Sequence, residues 1–195
     1  MKILVGILIF LAIVVGIIAI IPSFIDPEAT VTRSIEVEKP VEVVYSITKD
    51  YNQYLKWNPW SKLDRNARHE ITGPVGEVGS KWAWEGNPDS IGTGSLTIEE
   101  LVQNQAIKSK LEFIVPPMGT AQDLWYFKAI DSTKTSVTWT VAMKADSYFK
   151  RYFNIGAEKF LGPTLEQGLG DLKGLIESMP AQTDTLNQND SSVLY

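Results

Sequence analysis

The hydrophobic pattern divides this chain into four stretches. From Ile3 to Ile21 every position is apolar or glycine, about 19 residues without a charged or amide side chain. As a helix that run spans roughly 28 Å, close to the hydrocarbon thickness of a bilayer. From Val31 to Lys144 apolar and polar residues alternate in short segments, the period of half-buried strands. From Phe153 to Ile176 the apolar residues recur with a period near 3.6, the mark of one amphipathic helix. Pro180 to Tyr195 is dominated by Gln, Asn, Asp, Ser and Thr. The chain therefore reads as a transmembrane anchor over 1–25, a linker over 26–30, a folded domain over 31–178 and a disordered tail over 179–195.

Within the domain, Val31, Arg33, Ile35 and Val37 share one face of a first strand. Pro40 suits the first turn of a helix, and Val41, Val44, Tyr45 and Thr48 follow at helical spacing. A second short helix carries Tyr51, Tyr54 and Leu55 and ends before Trp57-Asn58-Pro59-Trp60. Strands are then expected at 69–72, 81–85, 95–102, 107–115, 120–130 and 135–144. Glu99-Glu100-Leu101 breaks alternation and predicts a bulge. Short turns between these strands imply an antiparallel meander. The last helix continues in phase past Pro163, so one kinked helix is expected. Its glycines, among them Gly168, Gly170 and Gly174, suggest close approach to the sheet or room for a ligand.

The segment from Gly73 to Gly94 sets a turn, a strand and a turn in one run, with Trp82 and Trp84 on one strand face. With Trp57-Asn58-Pro59-Trp60, Thr135-Ser136-Val137-Thr138-Trp139 and the Gly-Pro-x-x-Glu-x-Gly-Leu-x-x-Leu-Lys pattern at Gly162 to Lys173, it resembles the polyketide cyclase/dehydrase-like branch of the START superfamily, also called SRPBCC proteins. The resemblance covers nearly all of Val31 to Glu177. It implies an α+β helix-grip fold, a curved antiparallel sheet wrapped around a long C-terminal helix, here preceded by one transmembrane helix. It also implies an apolar cavity between sheet and helix.

Composition removes several classes of function. The formal charge of −5 and the lack of a basic stripe argue against nucleic acid as a partner. With one histidine, His69, and no cysteine, a zinc site has no ligand set, and neither a metal nor another cofactor is expected. A disulfide scaffold and a lipidated cysteine are excluded for the same reason. Lys2 before the apolar run, with Asp26 and Glu28 after it, favours the domain on the extracytoplasmic side. The alternative reading of the run is a cleaved secretory signal, whose apolar core is usually shorter, about 7–15 residues.

The aromatic residues supply the candidate site. Trp82, Trp84, Phe113, Trp125, Phe127, Trp139, Phe153 and Phe160 fall on expected inner faces, as does Leu165. They read either as plain core or as the lining of an apolar cavity. Asp123 shares a face with Trp125 and Phe127, and a buried aspartate has a raised pKa unless it is paired. Arg33 sits among Val31, Ile35 and Val37 in the same way; for both residues the favoured alternative is a rim salt bridge or a strand-end position. Trp57-Asn58-Pro59-Trp60 reads as a turn that pins the helix pair over the sheet. The leading expectation is a membrane-tethered domain that binds an apolar or amphipathic, lipid-like small molecule. The alternatives are a cyclase- or hydrolase-type enzyme in the same cavity, and a cell-envelope interaction module with a filled core.

Overall fold

Alternation along the chain produces seven strands: β1 (Glu28–Val37), β2 (Arg68–Thr72), β3 (Lys81–Glu85), β4 (Thr93–Val102), β5 (Ala106–Val115), β6 (Gly119–Ala129) and β7 (Thr135–Lys144). The structure, a computed structural model, describes residues 2–180; the tail expected from 179 lies almost wholly outside the described residues. All seven strands join one antiparallel sheet in the order β1-β7-β6-β5-β4-β3-β2. Strands β2 to β7 form the expected meander. β1 pairs with the last strand, Glu28 opposite Lys144 and Val37 opposite Thr135. β1 starts three residues earlier than its alternation indicates, because Glu28, Ala29 and Thr30 also find partners on β7. The bulge expected near Glu99 is present as a register shift between Ile98 and Glu100.

Among the described residues, five α-helices complete the fold: α1 (Lys2–Ile20), α2 (Val41–Lys49), α3 (Tyr51–Trp57), α4 (Pro59–Leu63) and α5 (Ala157–Glu177). Asp50 caps α3 by accepting from the Asn52 amide, and Asn58 caps α4 by accepting from the Trp60 amide at 2.9 Å. These caps, with Pro59 at the first helical position, convert the Trp57–Trp60 run into a sharp helix-to-helix turn.

The core lies between the inner face of the sheet, α2 to α4, and α5. The buried stripe of α5 is Ala157, Leu165, Leu169, Leu172 and Ile176. α5 runs through Pro163 without a break. Gly168 sets its distance from the sheet: a Cβ there would sit 2.7 Å from the Trp139 ring and 3.1 Å from Pro59. Gly162 likewise leaves space for the Arg33 guanidinium. Gly170 and Gly174 face no neighbouring atoms, so of the helix glycines singled out beforehand only Gly168 serves close approach to the sheet.

Two residues expected on the inner face are not there. Phe153 is 58 % exposed and Phe160 is 73 % exposed. Phe153 precedes α5, in a 3-10 segment spanning Phe149–Gly156. Three residues per turn there shift the phase of the pattern read back from α5. Phe160 lies within α5 but one position away from the inward line through Ala157, Leu161 and Leu165, and its ring rests on Gly156 instead.

The sheet order brings the start of β1, the turn between β5 and β6 and the end of β7 to the same end of the molecule. α1 joins the domain at that end, through a 3-10 turn at Ile21–Phe24. Tyr148 Oη donates to the Ala19 carbonyl at 2.9 Å and shares a 2.5 Å hydrogen bond with Ser23 Oγ. Tyr152 Oη donates to the Ile18 carbonyl, and Arg151 to that of Pro22 at 3.2 Å. Asn154 Nδ2 donates to the Asp26 carbonyl at 2.9 Å.

Candidate functional site

The centre of the inner face is built by period-two alternation on two adjacent strands. Asp123 and Trp125 are successive inward positions on β6, and Trp139 of β7 lies directly opposite Trp125. The two indoles stack with centroids 4.3 Å apart and planes 20° from parallel. Both rings turn their N–H groups to the same carboxyl. Trp139 Nε1 donates to Asp123 Oδ1 at 2.6 Å, and Trp125 Nε1 donates to Oδ2 at 2.8 Å. Asp123 is 3 % exposed. Burial pushes its pKa up to about 6, and the two indole donors oppose that shift. At neutral pH the group is a carboxylate clasped by two neutral donors.

Helices α3 and α4 close over this clasp. Trp57 packs edge-on against Trp125 at 5.7 Å and Trp139 at 6.1 Å, and Trp60 packs edge-on against Trp139 at 5.6 Å. Trp57 and Trp139 are fully buried. Tyr54 sits 4.6 Å from Trp57 and 5.2 Å from Trp82. Tyr51 Oη donates to Ser109 Oγ at 3.2 Å, and Ser109 is the β5 residue paired with Asp123. Burial raises the pKa of both tyrosines, and the Asp123 charge adds to it, so both remain neutral.

A second aromatic pair lies toward the β2 edge. Trp82 and Trp84 have centroids 4.7 Å apart. Trp82 Nε1 donates to His69 Nδ1 at 3.2 Å, and Trp84 Nε1 donates to the Ile91 carbonyl at 3.1 Å. Burial holds the His69 pKa below its ordinary value. His69 is therefore a neutral acceptor for an indole, which explains it without a catalytic role.

The structure thus brings Trp82, Trp84, Asp123, Trp125, Phe127, Trp139 and Leu165 into the buried layer. Phe127 packs edge-on to Tyr45 at 5.6 Å. Phe113 is half-buried at the α1 end of β5, while Phe153 and Phe160 lie outside the layer. Arg33 lies on the inner face, opposite Trp139, but its guanidinium reaches across to α5 and pairs with Glu158 and Glu166, each at 2.5 Å, at the partly exposed rim of the layer. Glu85 is exposed. Four further residues, Tyr51, Tyr54, Trp57 and Ser109, belong to the site. The aromatic density of Tyr51-x-x-Tyr54-x-x-Trp57, at helical spacing, is the sequence signal that points to three of them; Ser109 has none beyond its alternation.

The inner face changes character along its length. Around Trp125 and Trp139 it is packed solid with side chains. Toward the α1 end, Ala29, Leu111, Phe113 and Met143 are only partly buried. A separate surface groove of about 380 Å³ lies against α2 and the turn after β4, lined by Glu42, Tyr45, Lys49 and Asn104 among others. It includes none of the residues expected to line a cavity. Among the described residues, no three His, Cys, Asp or Glu side chains are grouped as a metal site requires.

A seven-stranded antiparallel sheet laid along a long C-terminal helix, with short helices closing one side, is the helix-grip fold of the START-like, or SRPBCC, proteins. The chain belongs to the polyketide cyclase/dehydrase and lipid transport family, whose model matches residues 28–177. No curated protein sequence matches it. Solved structures share the fold at low identity. Norcoclaurine synthase from Thalictrum flavum, in complex with dopamine and hydroxybenzaldehyde, superposes with a TM-score of 0.62 at 11 % identity, covering 80 % of this chain and 90 % of that one. The ZhuI aromatase/cyclase from Streptomyces sp. R1128 gives 0.57 at 15 % identity, covering 77 % and 94 %. The Aha1 dimer from Colwellia psychrerythraea gives 0.52 at 16 % identity, covering 77 % and 97 %.

Proposed function

We propose that this protein is a membrane-anchored helix-grip domain that binds an apolar or amphipathic small molecule at the α1 end of the layer between sheet and α5. The observation that carries the reading is the gradient along the inner face. It is sealed by Trp57 over the Asp123 clasp, and it opens onto the partly buried Ala29, Leu111, Phe113 and Met143. An apolar bed with few polar groups suits an apolar ligand. α1 is long and apolar enough to cross a membrane and is unburied, and a ligand of that kind is concentrated in the bilayer beside it. The family also includes lipid transport in its description.

Native mass spectrometry of the full chain released from mild detergent tests this. A co-purified adduct near one per chain, lost when Met143→Trp fills the open end, is the expected result. A bare chain mass, unchanged by addition of fatty acids, isoprenoids or aromatic polyketides, refutes it.

The packing at the centre favours a second reading, an interaction module with a filled core, because Trp57 and Trp139 occupy the space where a deep cavity would lie. Catalysis is the less supported alternative. Asp123, Ser109, Tyr51 and Tyr54 are polar groups near one another, but Asp123 and Ser109 are sealed from solvent, and a general acid or base must reach its substrate.

A further inference from the structure

The end of the domain that meets α1 carries apolar surface that folding does not use. Phe24 at the exit of α1, Met118 in the β5–β6 turn, Phe149, Phe153 and Ile155 in the 3-10 segment, and Phe160 in α5 are all exposed. They come from three separate stretches of sequence, the 3-10 segment running straight into α5, that the fold gathers at one end. Gly119, next to Met118, lies against Asp146 and Lys150, which joins that turn to the 3-10 segment. Contiguous apolar surface drawn from several segments marks an interaction face rather than scattered exposure.

The hydrogen bonds to α1 fix where this face sits. The final turn of a helix leaves carbonyls without intrahelical partners. Here Tyr152 and Tyr148 donate to Ile18 and Ala19, and Arg151 donates to Pro22 just beyond. The domain is therefore clamped to the last turn of α1 rather than hung from a slack linker. For a helix that fills the hydrocarbon layer, that last turn lies at the boundary with the headgroups. Tyrosine hydroxyls beside Lys150 and Arg151, with phenylalanines adjacent, are the side chains that suit this boundary.

We infer that the α1 end of the domain is seated in the interfacial layer of the membrane, with Phe149, Phe153, Ile155 and Phe160 immersed beside the end of α1. The occupant of this face is the lipid bilayer surface, because the level fixed by the clamp is one that lipid already fills. The inference rests on α1 spanning the membrane, and it adds a fixed pose and a shallow second attachment to that anchor. The open end of the inner face then looks toward lipid rather than toward water.

Depth measurement by spin labelling tests the pose, and the chain's lack of native cysteine makes each label unique. The full chain in phosphatidylcholine bilayers would carry a nitroxide at Phe153→Cys, Ile155→Cys, Ile21→Cys or, at the opposite end between β2 and β3, Val75→Cys. All four positions are exposed, so labelling leaves the core intact. Labels at 153 and 155 are expected to relax faster with oxygen than with a water-soluble nickel chelate, at a depth near that of the label at 21. The label at 75 should show the reverse order. Labels at 153 and 155 that behave like the one at 75, while the label at 21 is shielded, overturn the seated pose and leave the anchor standing. A label at 21 that is fully open to the nickel chelate overturns the anchor, and the pose with it.

Discussion

The indole clasp on Asp123 yields a prediction whose size and pH dependence can both be worked out. Trp139→Ala removes a fully buried ring that touches Trp125, Trp57 and Trp60. Deleting such a side chain costs about 3–5 kcal/mol in transfer and cavity terms. The same change withdraws the 2.6 Å donor from Asp123, and a lost hydrogen bond to a buried charge costs about 1.5–3 kcal/mol more. The terms are not strictly additive, so a total near the upper end of the first range, about 5 kcal/mol, is expected. For a domain of this size that lowers Tm by about 10–20 °C.

Trp139→Phe separates the two effects, because it keeps much of the packing and removes only the N–H and part of the ring. The folded pKa of Asp123 lies at about 6, above the ordinary aspartate value, with burial as the main cause. An acid whose folded pKa is raised binds protons more readily folded than unfolded. Its penalty is therefore present at neutral pH and relieved as pH falls from about 7 toward about 4. The donor from Trp139 opposes the rise, so its loss should hurt most where Asp123 is ionised. Trp139→Phe should cost about 1 kcal/mol more at pH 7.5 than at pH 4.5. The assay is thermal unfolding of the full chain in mild detergent, followed by near-ultraviolet circular dichroism of the buried tryptophans that remain, Trp57, Trp82, Trp84 and Trp125. A total loss below about 1 kcal/mol for Trp139→Ala, or a loss for Trp139→Phe that does not change with pH, would refute the reasoning.

Three further outcomes are expected. The full chain should remain with membranes through a carbonate wash, whereas a chain beginning at Asp26 should fold yet retain weak, reversible binding to vesicles through its exposed aromatic end; sedimentation with vesicles reads both. Gly168→Val should destabilise strongly, because its side chain meets Trp139 and Pro59, while Gly170→Ala, with nothing nearby, should stabilise by about 1 kcal/mol through helix propensity. Tyr148→Phe combined with Tyr152→Phe removes two donors from the last carbonyls of α1; proteolysis between residues 20 and 28 should accelerate while the Tm of the domain stays within a few degrees.

Much of this fold was legible because alternation and helical phase are local properties. The limits of β3 and β7, the bulge beside Glu99 and the continuity of α5 past Pro163 all followed from residues within a few positions of one another. Alternation also put Asp123 on the face of Trp125 and Phe127, and its burial there, rather than a rim position, raises its pKa. Its partners did not follow from alternation, because whether an indole N–H turns toward a carboxylate depends on χ angles and on the β6–β7 register. Phe153 was misplaced because extrapolating a 3.6 period ignores the 3-10 segment before α5, and Phe160 because it sits one position off the inward line through Ala157, Leu161 and Leu165. Nor did alternation reveal how far Trp57 fills the interior: an inward face is a direction, and the volume behind it depends on helices far away in sequence.

The pairing of β1 with β7 has a consequence for how the protein is made. Residues 28–37 emerge from the ribosome immediately after the apolar helix, yet among the described residues their strand partner lies at residues 135–144. About a hundred residues must be synthesised before that edge of the sheet can close, and such non-local pairing is slow. Until then β1 waits as an unpaired strand, its Thr and Glu positions keeping it soluble on one face. The order of sheet assembly then follows from topology: the meander from β2 to β7 assembles first, and β1 with α5 locks the domain last. A nascent chain arrested before residue 135 should be protease-sensitive throughout 28–37, and one released after α5 should be protected there.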